Sequence, residues 1–306
     1  MSGAGARCGT VALLGAPNAG KSTLLNVLVG AKVSIVTPKV QTTRSRITGV
    51  AIAGDTQLIF QDTPGIFAPK RRLERAMVSA AWTGAHEADV LAVLIDARRA
   101  PAAIGDDTAR ILDGLRESGR RAVLVLNKID LVRRRDLLAV TASLTGDGSP
   151  FDEVFMISAL NGDGVDDLKA HFAAAARPGP WLYPEDQLSD VPLWFLATEL
   201  TREKLFLALH DELPYGLTVE HVRWQDRGDG SVRIDQNVLV GREAHKPMVV
   251  GRGGIRIRDI GVAAREELQE LLSRRVHLFL QVKVREHWAE QPGLYRDMGL
   301  DFPAAG

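Results

Sequence analysis

A glycine-rich octapeptide near the start of the chain constrains its fold more than any other feature. Residues 15–22 read GAPNAGKS and match the pattern G-x-x-x-x-G-K-[ST], in which backbone N–H groups cradle phosphates. The apolar run before it, TVALL at 10–14, predicts a strand. The run after it, STLLNVLV at 22–29, predicts a helix whose N-terminus favours phosphate charge. This strand–loop–helix order predicts a nucleotide-binding α/β domain.

The bulk composition limits the classes of protein that remain. The 306 residues are 45% hydrophobic and 25% charged, which fits about two globular domains. Basic and acidic residues balance at 38 each, so any nucleic-acid site has to be a local basic patch. The single cysteine, Cys8, excludes an internal disulfide and a cysteine zinc site, and fits a reducing cytosol. No apolar run approaches the roughly 20 residues of a membrane helix. The apolar run at 11–14 is too short for the core of a signal peptide. We therefore expect a cytoplasmic protein without a transmembrane segment.

Strand-like and helix-like segments alternate from residue 10 to 177. The strand candidates are near-continuous apolar runs, as in a parallel sheet covered on both faces: 11–14, 57–61, 90–96, 122–127 and 153–157. We therefore predict a doubly wound α/β domain over 1–177, with ligands at the carboxyl ends of the strands. Prolines at 178, 180, 184 and 192 predict a linker over 178–192.

The remaining residues, 193–306, predict a second and smaller α+β domain. Its pattern is helix–strand–strand–helix–helix–strand, with one helix beginning at Ile255 and a separate one over 266–274. No second phosphate loop and no internal repeat occurs in the sequence.

Several side chains are predicted to bind phosphate and Mg²⁺. Lys21 reaches the β- and γ-phosphates and the Ser22 hydroxyl ligates Mg²⁺. In DTPG at 62–65, Asp62 is predicted to hold Mg²⁺ through water and the Gly65 amide to contact the γ-phosphate. The loop PKVQTTRSR at 38–46 supplies a threonine that binds Mg²⁺ only in the GTP state; we prefer Thr43, with Thr42 as the alternative. We predict Lys21, Thr43 and Gly65 as catalytic, and as further nucleotide-binding residues Gly15, Asn18, Ala19, Gly20, Ser22, Thr23 and Asp62.

The base is predicted to be guanine. NKID at 127–130 follows an apolar strand, and the Asp130 carboxylate can accept hydrogen bonds from the guanine N1–H and 2-amine, which adenine lacks. The Lys128 stem covers one face of the base, and Asn127 ties loops together. Ser158 and Ala159 follow the next strand, and we expect the Ala159 N–H to contact the guanine carbonyl oxygen.

Ile66 stands where Ras-like GTPases carry a glutamine that orients the attacking water. Isoleucine cannot do this, so slow intrinsic hydrolysis is expected. Asn18 is a candidate ligand for K⁺, which would place positive charge near the β- and γ-phosphates. The alternative is that Asn18 only satisfies backbone groups of its loop.

The second domain carries a candidate RNA site in the loop GRGG at 251–254. Small residues there allow close approach of a nucleic-acid backbone, and helix N-termini and arginines meet the phosphates. Residues 241–258 contain five basic residues and one acidic residue, which suits phosphate binding. The predicted RNA-binding residues are Lys246, Gly251, Arg252, Gly253, Gly254, Arg256 and Arg258.

With both domains considered, the sequence resembles the Era family of bacterial GTPases over nearly its whole length. In the first domain the resemblance rests on GAPNAGKS at 15–22, SIVTPKVQTTR at 34–44, DTPG at 62–65 and NKID at 127–130. In the second it rests on distinctive segments: REKL at 202–205, ELPY at 212–215, VVGRGGIRI at 249–257, and VKV at 282–284 followed by Trp288. It implies a P-loop GTPase domain followed by a type II KH domain, hydrolysis of GTP to GDP with Mg²⁺, binding to the 3′ end of 16S rRNA, a role in assembly of the 30S subunit, and peripheral association with the inner face of the cell membrane.

Two other functions are compatible with part of the sequence. A tRNA-modification GTPase shares the threonine loop and the missing glutamine, but its GTPase lies inside a helical domain and it lacks a terminal KH pattern. A nucleotide-gated RNA-binding scaffold with incidental hydrolysis is not separated from an enzyme by the sequence.

Overall fold

The computed structural model describes residues 5–98, 105–210 and 213–303. The chain divides into two compact units. The first comprises residues 1–34, 40–190 and 299–306, and the second comprises 35–39 and 191–298, within the described ranges.

The first unit is a sheet with helices on both faces. Its strands are β1 (Arg7–Gly15), β2 (Ile47–Ala53), β3 (Thr56–Asp62), β4 (Val90–Asp96), β5 (Ala122–Asn127), β6 (Phe151–Ile157) and the two-residue β7 (Arg177–Pro178). Its helices are α1 (Lys21–Val29), α2 (Arg72–Glu87), α3 (Asp106–Ser118), α4 (Arg134–Leu144) and α5 (Val165–Ala175). The strand order is β2-β3-β1-β4-β5-β6, with β7 beside β1. Strands β3, β1, β4, β5 and β6 are parallel, whereas β2 pairs antiparallel with β3.

Successive side chains of each strand point to opposite faces of this sheet, so each face carries its own apolar core. Ala12 and Leu14 of β1 pack in one cluster with buried residues of α2, α3 and α4, such as Ile111. On the other face, Phe60 of β3 meets Phe172 of α5 edge to face, with ring centroids 6.0 Å apart. Because both faces are covered, the strands read as continuous apolar runs, and the loops at their carboxyl ends remain for ligands.

The second unit packs helices on a three-stranded sheet. Its elements are α6 (Leu193–Ala208), β8 (Leu217–Asp226), β9 (Val232–Val240), α7 (His245–Val250), α8 (Ile255–Leu272), β10 (Val276–Val284) and α9 (Pro292–Asp297). The order is β10-β9-β8, with β9 parallel to β10 and antiparallel to β8. Leu205 and Phe206 of α6, Val238 of β9 and Ile260 of α8 share one core cluster.

The structure corrects two helix assignments made from the sequence. Residues 255–272 form one helix, so the separate helix expected at 266–274 is the end of α8, which terminates at Leu272 with Ser273 in the left-handed conformation. The first helix of the expected pair is instead α7, which ends at Val250 immediately before the glycine loop.

The predicted linker also differs from what the structure contains. Most of 178–192 packs on the first unit, which extends to Asp190. Gln57 Nε2 donates to the Tyr183 carbonyl at 2.8 Å, and the Ser189 hydroxyl donates to the Thr48 carbonyl at 2.6 Å. This stretch lacks helix or strand beyond β7, yet its hydrogen bonds fix its path.

A short segment ahead of the threonine loop, residues 35–39, belongs to the second unit. Ile35 is buried in a cluster that includes Leu200 and Ile234. The Val36 N–H donates to Glu203 Oε1 at 2.8 Å, and the Lys39 ammonium donates to two carbonyls near the end of α6, those of Phe206 and Leu209.

Candidate functional site

The phosphate loop joins β1 to α1, as the sequence predicts. A Cβ on Gly15 would lie 2.6 Å from the Leu94 carbonyl oxygen, and one on Gly20 would lie 2.2 Å from Asn127 Nδ2. Gly20 also has φ 98, a conformation that side chains rarely adopt. Both positions therefore require glycine, because the loop is packed against two neighbouring strand ends. The other predicted loop residues Asn18, Ala19 and Thr23 lie in this loop and the first turn of α1.

Lys21 is buried under this loop. Its ammonium donates to the carbonyl oxygens of Gly15 at 3.1 Å and Ala16 at 3.3 Å. Burial lowers the pKa of Lys21 to about 8, and the nearby Asp62 carboxylate only partly opposes this. A phosphate group in the loop would favour the charged form of this side chain.

Three oxygen-bearing side chains converge beside Lys21. The Ser22 hydroxyl lies 2.6 Å from Asp62 Oδ2 and 2.8 Å from Thr43 Oγ1, and Thr43 Oγ1 lies 3.3 Å from Asp62 Oδ2. Burial raises the pKa of Asp62, opposed by Lys21 and by hydrogen bonds from Ser22, Ser34 and Thr43. Asp62 Oδ1 is buried without a hydrogen-bond partner among the described residues.

This donor set suits a hard cation. Hydroxyl and carboxylate oxygens are the ligands that Mg²⁺ prefers, and the unpartnered Asp62 Oδ1 is a free acceptor at the cluster. The structure places Thr43 in this cluster, the threonine preferred over Thr42 as the Mg²⁺ ligand. Ligation itself stays a prediction.

Gly65 packs directly against the phosphate loop. A Cβ at this position would lie 2.9 Å from the backbone nitrogen of Pro17, and the N–H of the next residue, Ile66, donates to the Gly15 carbonyl at 3.1 Å. This close approach places the Gly65 backbone where the γ-phosphate is expected. The Ile66 side chain is 2% exposed and belongs to the apolar core.

Asn127 connects three loops at the predicted base site. Its Nδ2 donates to the Ala19 carbonyl at 2.8 Å, and its Oδ1 accepts from the N–H groups of Lys128 at 2.8 Å and Ala159 at 2.9 Å. The Ala159 N–H, expected to contact guanine, is therefore used to hold Asn127 in this structure. Ser158 is fully buried and organises its own loop. Asp130 is exposed and available to a base.

Lys128, whose stem is expected to cover the base, also makes contacts through its ammonium group. Its ammonium donates to the Asn18 carbonyl at 2.6 Å and to Asp96 Oδ2 at 2.8 Å. Asp96 also accepts from the Arg98 guanidinium, with Nη2 2.6 Å from Oδ2. The sequence analysis missed Asp96 and Arg98. Their signal was position, since Asp96 ends β4, a parallel strand between those that carry the two main motifs.

The glycine loop of the second unit joins α7 to α8. Gly251 has φ 75, and a Cβ there would lie 2.6 Å from Arg256 Cβ. Cβ atoms on Gly253 and Gly254 would meet nothing within 4 Å, so the surface beside them is open to an approaching backbone.

An apolar groove of about 630 Å³ runs beside this loop, between α6 and α8. It is lined by Lys204, Leu207, Ala208, Gly251, Arg252, Ile255, Arg256, Asp259, Ile260 and Ala263. Ile255 is 50% exposed in this groove, whereas Ile257 packs on the core.

The basic residues predicted to bind RNA differ in their exposure and in their contacts. Lys246, Arg252 and Arg258 are exposed, but Lys246 and Arg258 lie outside the groove lining, and Arg258 is 3.9 Å from Asp259. Arg256 lines the groove while its guanidinium donates to the Met248 carbonyl, so it also ties α8 to α7.

Two family models match the chain, one on each unit. Residues 10–128 match a family described as 50S ribosome-binding GTPase, and residues 212–289 match the KH domain. A GTPase Era of Bradyrhizobium sp. (strain BTAi1) is 54% identical over 301 residues, covering 98% of this chain and 96% of the relative. The GTPase Era of Rhizobium meliloti is 56% identical over 297 residues, 97% of this chain and 94% of the relative.

The chain belongs to the Era family of GTPases. Solved Era structures agree with this. Crystal structures of an Aquifex aeolicus Era variant bound to GDP and tetrafluoroaluminate, and of Era with MgGDPNP and nucleotides 1506–1542 of 16S ribosomal RNA, each match with a TM-score of 0.90 and 36% identity, covering 96% of this chain and 99% of theirs.

Membership of the Era family confirms three predictions from the sequence. The fold is a P-loop GTPase domain followed by a KH domain, the protein binds guanine nucleotide and hydrolyses GTP, and it is an RNA-binding protein. None of the helices described for this chain combines the length and apolar character that crossing a bilayer requires.

Proposed function

We propose that this GTPase acts in assembly of the 30S ribosomal subunit and maturation of 16S rRNA, binding the 3′ end of that RNA through its KH domain under nucleotide control. The observation that carries the proposal is the position of the threonine loop in the chain. Thr43 lies with Ser22 and Asp62 in the first unit, and four residues earlier the segment 35–39 is part of the second unit. A cation that orders Thr43 therefore acts on a segment continuous with the RNA-binding unit.

The cation in this proposal is Mg²⁺. Ser22, Thr43 and Asp62 would hold it, and it would neutralise charge on the β- and γ-phosphates. Lys21 supplies a second positive charge and the Gly65 N–H a hydrogen bond to the γ-phosphate. Loss of that phosphate removes one of the groups that hold Mg²⁺, which weakens the hold of the cation on Thr43 and favours release of the loop.

RNA recognition is assigned to the groove beside the glycine loop. The open surface at Gly253 and Gly254 admits the RNA backbone, Lys246, Arg252 and Arg258 meet phosphates, and Ile255 offers an apolar surface to bases. The Era structure bound to 16S rRNA nucleotides 1506–1542 supports this RNA as the target.

The test is a comparison of RNA affinity in two nucleotide states. Binding of a 16S rRNA fragment spanning nucleotides 1506–1542 is measured with MgGDPNP and with MgGDP. We expect tighter binding with MgGDPNP; equal affinities would refute nucleotide control and leave an RNA-binding scaffold with incidental hydrolysis.

A pair of glycine variants tests the RNA site. Gly253→Asp places negative charge on the open surface and is expected to weaken RNA binding by about tenfold or more, with GTP affinity unchanged. Gly230→Asp is the matched control, because Gly230 lies in the β8–β9 turn, also has a positive φ, of 79, and has nothing within 4 Å of its Cβ position. Equal RNA affinity of the two variants would place the RNA site elsewhere.

Two further elements of the proposal need their own measurements. K⁺ is proposed as an activating ion held by Asn18, which has φ 63 within the phosphate loop. Equal GTP turnover in K⁺ and Na⁺, in both wild type and Asn18→Ala, would refute K⁺ activation.

A cytoplasmic location with peripheral contact at the inner membrane face is tested by flotation with anionic liposomes, where absence of the protein from the lipid fraction would refute the membrane contact.

A further inference from the structure

The carboxyl end of β4 carries a charged cluster that includes Asp96 and Arg98, two residues outside the sequence motifs described above. The Asp96 carboxylate is only 6% exposed. It accepts from Arg98 Nε at 3.0 and 3.2 Å, from Arg98 Nη2 at 2.6 Å, and from the Arg98 backbone N–H at 3.1 Å. Its Oδ2 also accepts from Lys128 Nζ at 2.8 Å. One buried anion is thus shared by two cations.

This cluster fixes its own geometry. Arg98 grips both carboxylate oxygens, so the Asp96 side chain cannot rotate, and Oδ2 stays directed at Lys128. Burial by itself would raise the pKa of Asp96, but the hydrogen bonds from Arg98 and Lys128 outweigh it and lower the pKa to about 2. Asp96 is therefore an anion at neutral pH.

Lys128 links the two halves of the nucleotide site. It belongs to the guanine motif at the end of β5, and its ammonium also donates to the Asn18 carbonyl of the phosphate loop at 2.6 Å. Its backbone has φ 67, which costs about 1–2 kcal/mol for a residue with a side chain. A backbone conformation that is unfavourable by itself persists where surrounding contacts hold it in place. Of the two groups that hold the Lys128 ammonium, the Asp96 carboxylate is the charged one.

We propose that Asp96 is a positioning residue of the GTPase site: with its carboxylate oriented by Arg98, it holds the Lys128 ammonium against the Asn18 carbonyl and so fixes the guanine loop relative to the phosphate loop. Asp96 contacts neither phosphate nor base in this role. It sets the distance between the part of the site that binds guanine and the part that binds phosphate, and its effect appears in nucleotide residence time.

The first variant is Asp96→Asn, which keeps the size and an acceptor oxygen and removes the charge. Loss of a charge-assisted hydrogen bond predicts GDP dissociation about tenfold faster, measured by displacement of a fluorescent GDP analogue. Single-turnover hydrolysis of prebound GTP is measured beside it, so that a change in the chemical step is distinguished from a change in GDP release.

Asp89→Asn is the matched control at the other end of the same strand. Asp89 accepts hydrogen bonds from the Thr10 backbone and hydroxyl at 2.9 and 2.7 Å, so it is a hydrogen-bonded carboxylate far along the strand from the loops, and it is more exposed than Asp96. GDP dissociation from this variant should equal that of wild type. Equal acceleration in both aspartate variants would show a general effect of weakening β4 and would overturn the proposal.

A double-mutant cycle separates positioning from a structural role. If Asp96 acts through Lys128, adding Asp96→Asn to Lys128→Met should not accelerate GDP dissociation further, whereas independent effects multiply. The double variant removes one cation and one anion together, so it also serves if Asp96→Asn alone folds poorly. Multiplying effects, or wild-type dissociation in Asp96→Asn, would overturn the proposal.

Discussion

The burial of Lys21 should make nucleotide affinity depend on pH near pH 8 and above. Its pKa is lowered from 10.5 to about 8 because burial removes the ammonium from water, and the nearby Asp62 carboxylate offsets this only in part. At about 1.4 kcal/mol per pKa unit, this fall corresponds to a cost of about 3 kcal/mol for holding the charge in the ligand-free protein. Phosphate binding restores the charged form, so binding takes up a proton wherever free Lys21 is neutral.

The sign and size of the effect follow from that linkage. Below pH 8 Lys21 is already charged and GDP affinity is at its full value. At pH 8 about half of the free protein carries the charge, and at pH 9 about a tenth, so the Kd for GDP should rise about twofold and about tenfold relative to pH 7. The ligand-free fold should gain stability between about pH 8 and 10.5, because there the unfolded chain binds one more proton than the folded one.

The assay is a titration with a fluorescent GDP analogue at pH 7, 8 and 9, with calorimetry at pH 8.5 in two buffers of different ionisation enthalpy. Wild type should show the rise in Kd and a fractional proton uptake. Lys21→Arg, which stays charged throughout, is the control and should bind with an affinity that does not change over this range. A flat Kd for wild type, or proton release on binding, would refute the assigned protonation of Lys21.

Three substitutions test the packing around the two sites. Gly251→Ala places a Cβ 2.6 Å from that of Arg256 at φ 75, and should lower the free energy of unfolding by about 1–3 kcal/mol and weaken RNA binding. Gly114→Ala places a Cβ 2.4 Å from the Trp82 ring, and should destabilise by about 1–3 kcal/mol with RNA affinity unchanged. Phe206→Ala leaves a cavity at a fully buried position and should lower the free energy of unfolding by about 3–5 kcal/mol. Urea unfolding measures the stability of all three variants.

The strands of the first unit that could be predicted best are those buried on both faces. The bounds of β4 and β5 agree with the sequence prediction to the residue, because parallel central strands are uninterrupted apolar runs. The antiparallel edge strand β2 was missed. Its sequence, ITGVAIA, contains Gly49, where a Cβ would lie 2.7 Å from Leu25 Cδ1, so close packing against α1 selects a residue that propensity disfavours in strands.

The site divides in the same way. Residues within a linear motif were placed together correctly, since the loop that carries them is local in sequence: Lys21 and Ser22 lie in one turn, and Asn127 and Lys128 in another. Asp96 and Arg98 could not be found in this way, because their importance depends on a strand order that brings β4 between β1 and β5. The hydrogen bond of the Ala159 N–H could not be predicted either, although Ala159 itself lies at the predicted site. Its acceptor is the side chain of Asn127, which belongs to a motif about thirty residues earlier in the chain.

The structure gives Ile66 a packing role that its position in the sequence did not indicate. Its side chain is 2% exposed and packs with apolar residues of β1, α2 and β4, while its N–H donates to the Gly15 carbonyl. The backbone at this position thus joins the Gly65 segment to the phosphate loop, and the side chain points into the core. A glutamine here would bury an unsatisfied amide, at a cost of about 1–3 kcal/mol, before it could orient a water molecule. The slow hydrolysis expected from the missing glutamine is therefore a consequence of how this loop is packed, and restoring the glutamine alone should not accelerate turnover.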